Sequence, residues 1–561
     1  MQGSLDESAG KLENAPPDIL VRVSDLERRV AALENRSGTL PALKADVAPR
    51  DLPSVPAGII PILGRALLGL AGAYLLRAIV ESGRAPRIAT VIAALIYAGA
   101  WLVSSIRTRA EETFRAVVYT VTAALIFAPL VWETTVRFQV LSPAEGALVL
   151  VLFVIAGYAV AWRRDLTAIN RITTLAAAGT ALGLLVATRD LASFTIALLA
   201  MALAAEYAAC RDQFLGERWI AASSIDVALL VLTYVLTLPQ GLPDGYRAVP
   251  TMLAVAIQMV ALAIYFGSIS FRTLARGLKI TWFEAGQTTA VFAISIAGAL
   301  QVTRGAAGVA LGWFCMLSGA GAYLVAFSLL DRRADRRNFH TYALWGLTLL
   351  LAGSPILFSG TLLTAIWGAL AILAMSVGRR TGHIVLRAHA CVYMIGAAAV
   401  SGLLRYCFSV SIEPGTPFAA AAPAAILAAC AAVLCYAASG ATPTVPVRIP
   451  AAIIAGLLCW SMLAFGWGML TALSMNAAGL ATLRTFLLCA VAIGMALAGS
   501  RWGRGELLWL QYPVMLFGAA KLLLEDFPNG SPTALALSLL SYGSALIILP
   551  RCRLGTQSRR S

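Results

Sequence analysis

The chain has 561 residues, of which 59% are hydrophobic and only 13% charged, about half the charged share of a soluble domain. With a mean hydropathy of +0.80 it is excluded from the water-soluble globular class. The formal charge of +15 does not mark a nucleic-acid binder, because Lys and Arg sit in short groups between apolar runs and not on one folded face.

The nine cysteines form no CxxC pair, and no two of the three histidines, His340, His383 and His389, are spaced i,i+4. Neither a metal site nor a cofactor site is therefore predicted.

Residues 1–56 are polar and lack an apolar core of the signal-peptide type, so the first span is expected to act as the insertion signal. Within a cytoplasmic arm at 1–37, Ile19, Val23, Leu26, Val30 and Leu33 follow the alternating spacing of a heptad seam about two heptads long. Two readings stay open: a coiled coil for self-association or a protein partner, or an amphipathic helix resting on lipid. Pro41, Pro49, Pro53 and Pro56 make 38–56 an extended tether.

From 57 to 554 apolar runs of membrane-crossing length recur, predicting an all-α, polytopic transmembrane helical bundle of about eighteen spans. These begin near Ala57, Ile88, Ala116, Ser142, Ile172, Leu191, Trp219, Thr251, Lys279, Ala306, His340, Thr361, Ile384, Pro417, Ala451, Thr482, Leu507 and Pro532, and a basic tail follows at 555–561. Arg332, Arg333, Arg336 and Arg337 pin the loop at 331–337 to the cytoplasm. Alternating from that loop, the inside segments carry about three times the Lys and Arg of the outside ones, which predicts N-in, C-in. Every loop is short, so function is expected within the spans or at their rims; whether they form one bundle or two stays open.

Charge at membrane depth is the best pointer to function, since each such group costs about 2.5–3.5 kcal/mol on insertion scales. Arg65 and Asp226 both lie about 12 Å from the cytoplasmic face at 1.5 Å per residue; either they pair with each other, or each faces its own polar neighbour or water defect. Near the outer rim, Arg77 with Glu81, Glu133 with Arg137, Arg405, and Lys521 with Glu525 and Asp526 are expected either to form a polar vestibule or to snorkel to water. Arg77 with Glu81 and Lys521 with Glu525 have the i,i+4 spacing of one helical face. Glu206 and Glu284 lie near cytoplasmic span ends, the amide of Gln258 is expected to bond a neighbouring helix, and Gly179 with Gly183 and Gly308 with Gly312 read as close-packing motifs.

No P-loop, GxSxG elbow or HExxH helix is present. The C-terminal hairpin from Tyr512 to Arg551, with Lys521, Glu525, Asp526, Gly530, Pro532, Ser538, Tyr542 and Gly543, resembles the closing segment of the bacterial predicted membrane proteins grouped as domain-of-unknown-function family 2339. The seam at Leu26–Leu33, the proline tether, the opening GRALLGLAGAYLLRA at Gly64–Ala78, WETTVRF at Trp132–Phe138 and FHTYALW at Phe339–Trp345 are similar too. The resemblance implies a bacterial cytoplasmic membrane and a large helical bundle, and supplies no catalytic residue. The leading functional expectation is a transporter or permease-like protein. The alternatives are an envelope scaffold organised by the N-terminal arm, and a membrane-embedded enzyme acting on lipid or lipid-linked sugar through Glu525 or Asp526.

Overall fold

The structure, a computed structural model, describes residues 59–82, 86–108, 112–332, 336–440, 444–473 and 475–557; the heptad seam and the tether lie outside these. The described residues are helical, with no strand among them. In chain order the helices are α1 (Ile59–Ser82), α2 (Arg87–Ile106), α3 (Thr113–Trp132), α4 (Pro143–Arg164), α5 (Thr167–Ala187), α6 (Leu191–Cys210), α7 (Arg218–Leu236), α8 (Thr251–Ser270), α9 (Trp282–Val302) and α10 (Gly308–Val325). They continue as α11 (Arg336–Leu357), α12 (Gly360–Thr381), α13 (Ile384–Val400), α14 (Leu403–Ile412), α15 (Pro423–Ser439), α16 (Val445–Leu470), α17 (Ala477–Arg501), α18 (Gly505–Lys521) and α19 (Pro532–Gln557).

Each expected span meets one of these helices. Among the described residues fifteen helices are long and apolar enough to cross a membrane. The run from Ile384 passes only as the pair α13 and α14, bent by 66°, α15 is a shorter apolar helix and α11 is not among the fifteen, so the described residues hold fifteen or sixteen candidate spans where eighteen were expected. The break falls at Ser401–Gly402, where Gly402 takes φ +78°, a left-handed conformation that ends a helix at little cost only for glycine.

The chain divides into two compact units, 1–67 and 68–561. Within the second, the buried apolar side chains form two cores: one draws on residues between Ala98 and Leu349, the other on residues between Leu347 and Leu549. Helix α11 belongs to both, sending Trp345 and Leu349 into the first and Leu347 and Leu350 into the second. The bundle is thus built as two cores that share one helix.

Glycine sets how closely α10 approaches α11. A Cβ on Gly353 would lie 2.7 Å from Cys315 Cβ and 2.9 Å from Gly312 O, and one on Gly346 would lie 3.1 Å from Gly319 O. With lipid as the alternative solvent, such contact between small residues is the main source of helix association. Elsewhere Gly183 packs on the ring of Trp132, while Gly179 faces open space.

Four helices end in or pass through a π turn: Glu133–Arg137 after α3, Phe271–Ala275 after α8, Ala326–Leu330 after α10 and Leu522–Asp526 after α18. Such turns are uncommon and concentrate at functional sites. Three of the four carry charged residues discussed below.

Gly353→Leu is expected to push α10 from α11 and lower the melting temperature of the purified protein, a loss of about 1–3 kcal/mol from overpacking. Gly179→Leu should be nearly neutral in the same thermal-unfolding measurement.

Candidate functional site

The charged residues at depth fall into three groups. In the first, Arg77 on α1 meets Glu133 at 2.9 Å and Glu81 at 3.3 Å, and Arg137 reaches Glu81 at 3.1 Å. The expected polar cluster of Arg77, Glu81, Glu133 and Arg137 is therefore assembled. Its two cations and two carboxylates are engaged with one another, beside a small cavity of about 300 Å³.

The second group lies between α6, α7, α8 and α9. Arg218 donates through Nε and Nη2 to both oxygens of Glu206, at 2.9 and 2.5 Å, and through Nη1 to Glu284 at 2.7 Å. Arg272, on the π turn after α8, contacts the same Glu284 oxygen at 2.9 Å and donates to the carbonyl of Ala209. Ser268 donates to Glu206 at 2.6 Å, and Glu284 also closes a capping box with Thr281 at the start of α9.

All four charged side chains of this group are at most 5% exposed, and two guanidiniums balance two carboxylates. Glu206 and Glu284 were legible as span-end acids; Arg218 was not, because it lies at the boundary of an apolar run. The group is a structural network that fastens four helices, Arg272 Nε touching Glu284 without a hydrogen bond.

Asp226, expected opposite Arg65, accepts two hydrogen bonds from the Gln287 amide at 3.0 and 3.1 Å. Arg65 belongs to the first unit and is exposed. Gln258 donates to Thr233 on α7 at 3.2 Å, the interhelical bond expected of it.

The third group lies in the second core. The spacing predicts that Lys521 pairs with Glu525, i,i+4, but the backbone between them is the π turn Leu522–Asp526. A π turn closes hydrogen bonds between i and i+5, so the residue brought back over Lys521 is Asp526. Lys521 Nζ donates to Asp526 Oδ2 at 2.7 Å, to Thr485 Oγ1 at 2.8 Å and to the Ala481 carbonyl at 2.9 Å, which uses all three ammonium donors. Asp526 also accepts from Ser538 at 2.7 Å and from Thr485 at 3.0 Å. The expected i,i+4 pair is present as well, Glu525 Oε2 lying 3.6 Å from Lys521 Nζ, a longer contact than the 2.7 Å to Asp526.

Glu525 faces Arg484 on α17, whose Nη1 is 3.5 Å from its Oε1. Arg484 is fully buried, stacks 4.4 Å above the ring of Trp467, and donates Nη2 to the Val410 carbonyl at 2.9 Å. Val410 lies in the last turn of α14, where carbonyls have no partner within the helix, and a cation there also complements the helix dipole. Arg484 Nε, Arg484 Nη1 and Glu525 Oε1 are buried without a hydrogen-bond partner.

These three atoms belong to residues lining a cavity of about 830 Å³ between α14, α16, α17 and α18. Its walls are apolar and aromatic, including Phe408, Trp460, Leu463, Trp467, Leu510 and Phe517. Phe408, Ile412, Phe517 and Leu524, also in the lining, are exposed at the bundle surface, so apolar side chains form its mouth. Of the expected outer-rim residues, Lys521 and Glu525 line this cavity, Asp526 stands behind them, and Arg405 is exposed on α14 outside the lining. Arg484 gave one sequence signal, a lone cation within two turns of an apolar helix start.

Removing one partner of a buried ion network leaves the other charge uncompensated, at a cost of about 3–5 kcal/mol. Arg218→Met and Asp526→Asn are accordingly expected to lower the melting temperature sharply. Glu525→Gln, which leaves the fully buried Arg484 without its nearest carboxylate, should lower it as well; thermal unfolding of the full chain in detergent reads all three. Comparison of the chain with protein-family models, curated proteins and solved structures finds no match.

Proposed function

We propose that the protein is a transporter or permease-like protein of a bacterial cytoplasmic membrane, and that the cavity beneath Arg484 is its ligand site. The bundle has about eighteen spans with both termini in the cytoplasm, an arrangement drawn from the alternation of Lys and Arg, and in that topology the cavity lies in the outer half of the membrane. The resemblance of the C-terminal hairpin to family 2339 is consistent with this membrane and architecture.

One observation carries the reading. The second half of the bent span α13–α14 ends at the cavity, where the fully buried Arg484 donates to the Val410 carbonyl in its last turn. Interrupted backbone is stable at membrane depth only where protein or a cavity satisfies it, and transporters place ligand sites at such half-helix ends. The apolar mouth formed by Phe408, Ile412, Phe517 and Leu524 favours a solute that enters sideways from the bilayer.

The free carboxylate oxygen of Glu525 supports a second reading, a membrane-embedded enzyme in which Glu525 is the acid or base. Asp526 does not share that role, since its oxygens are held by Lys521, Thr485 and Ser538.

Proteoliposomes carrying a head-labelled fluorescent phospholipid test transport directly, through bleaching of the outer leaflet by an impermeant reductant. Wild-type protein is expected to raise the rate of label movement between leaflets at least about tenfold over protein-free liposomes, a barrier lowered by about 1.4 kcal/mol. Ala520→Trp, which fills the cavity from an exposed lining position, should return the rate to background. Equal rates with and without wild-type protein would overturn the transport reading, and hydrolysis of the label would establish the enzyme reading.

A further inference from the structure

The second core carries a cationic rim at the opposite ends of its helices from the Lys521 group. From 338 to 561 the acidic residues are Glu413, Glu506, Glu525 and Asp526. Glu525 and Asp526 belong to the Lys521 group, and Glu413 follows the end of α14. Glu506, at the start of α18, is therefore the one carboxylate of this stretch beside Arg379 in the last turn of α12, Arg448 in the first turn of α16 and Arg504 just before α18.

Each of these arginines is seated by a neighbour. Arg379 lies across Gly440, where a Cβ would come 2.8 Å from its Cδ, and Arg448 lies across Gly505, where a Cβ would come 3.3 Å from its Cζ. Gly440 also takes φ +65°, so the turn and the close approach both call for glycine. Arg504 stacks on the ring of Tyr436 at 4.4 Å.

Two of the arginines close on the end of α15, whose last carbonyls lack partners within the helix. Arg379 donates through Nη1 to the Ala438 carbonyl at 3.5 Å, and Arg504 through Nη1 to the Tyr436 carbonyl at 3.3 Å and to Ser439 at 3.1 Å. Capping thus occupies one nitrogen of Arg379. Its Nε and Nη2 share one edge of the planar guanidinium, the edge that meets an oxyanion through two parallel hydrogen bonds, and the side chain is exposed. Glu506 is buried, accepts from Tyr436 at 3.2 Å and lies 3.9 Å from Arg504. One carboxylate against three arginines leaves the rim cationic.

Arg379 and Arg504 line a cavity of about 560 Å³ whose other walls include Val433, Ala437, Leu458 and Trp502. Val433 and Trp502 are exposed, so the cavity opens along the apolar face of α15 as well as at the charged rim. In the N-in, C-in arrangement these helix ends face the cytoplasm, the side on which basic pockets between helices take anionic headgroups. A soluble phosphate would use the arginines and leave the apolar wall uncovered, whereas a phospholipid covers both.

We propose that this cavity binds an anionic phospholipid, its phosphodiester on Arg379 and Arg504 and an acyl chain along Val433, Ala437 and Leu458. The site is separate from the cavity beside Arg484 and does not rest on the transport reading. Phosphatidylglycerol has the required chemistry. Phosphatidylethanolamine and phosphatidylcholine bring an ammonium to a rim already in excess of positive charge.

The test is native mass spectrometry of the full chain released from nanodiscs of equal parts phosphatidylglycerol, phosphatidylethanolamine and phosphatidylcholine. Wild-type protein is expected to retain phosphatidylglycerol over each of the others about tenfold or more, the scale of one hydrogen bond to a charged group. Arg379→Gln should bring that preference near parity. Arg380→Gln removes the same charge from the next residue, exposed and outside the cavity lining, and should leave the preference unchanged. Equal retention of the three lipids by wild type would overturn the proposal, as would equal losses in the two variants, which mark attraction to surface charge alone.

Ala437→Trp fills the cavity from an exposed lining position and keeps every arginine. It should also abolish the preference, and an unchanged preference in this variant would overturn the proposal. Competition with inorganic phosphate separates the two sources of the oxyanion: displacement of the lipid at equimolar phosphate would overturn the lipid assignment, and resistance supports it.

Discussion

A charge buried at membrane depth has to be neutralised by the protein itself, because lipid offers neither water nor counter-ions. Among the described residues that constraint is met in the buried groups around Arg218 and Lys521, whereas the Arg77 group is partly exposed and Asp226 is held by a neutral amide. Arg218 and Arg272 are balanced by Glu206 and Glu284, and Arg77 and Arg137 by Glu81 and Glu133. Lys521 is closed by Asp526. Arg484 with Glu525 is balanced in charge but not in hydrogen bonds, and those two groups line the 830 Å³ cavity. Neutrality makes the bundle insertable, while the unfilled hydrogen bonds make one of its sites receptive.

The π turns are the device that separates closed from open. In an α-helix Lys521 would sit over Glu525 and leave Asp526 on the next face. The extra residue in Leu522–Asp526 moves Asp526 onto Lys521, where Thr485 and Ser538 complete its shell, while Glu525 lies 3.6 Å from Lys521 and 3.5 Å from Arg484. The π turn Phe271–Ala275 similarly carries Arg272 to Glu284, and Glu133–Arg137 carries both ends of the outermost group. A backbone irregularity of one residue thus decides which charges are structural and which are available.

The two cores divide the work along the chain. The first holds the Arg218 network that fastens α6 to α9; the second holds the broken span and the cavity. They meet on α11, whose glycines let α10 pack at backbone distance. Displacement of that pair would reach both cores, which gives the glycine contact a mechanical place between a rigid half and a half with an interrupted helix. His389, hydrogen-bonded to Tyr323 at 2.8 Å, lies between α10 and α13 near the same junction.

Composition and apolar run length by themselves determined the helical class and the position of most helices, though not of α14, which the break at Gly402 separates from α13, because a span is a local property of about twenty residues and their partition into lipid. They also marked Lys521, Glu525, Asp526, Arg77, Glu81 and Glu133, since charge inside an apolar run is visible one residue at a time. Tertiary structure decided the pairings. Lys521 keeps the expected ion pair with Glu525 at 3.6 Å and gains a closer one with Asp526 at 2.7 Å, through a change of one residue in the hydrogen-bond register that propensity does not encode. Asp226 found the Gln287 amide, a partner on another helix and without charge. Arg484 became part of the site only because α14 ends against it and Trp467 lies beneath it, contacts with residues 74 and 17 positions away in the chain for which no periodicity exists to be read.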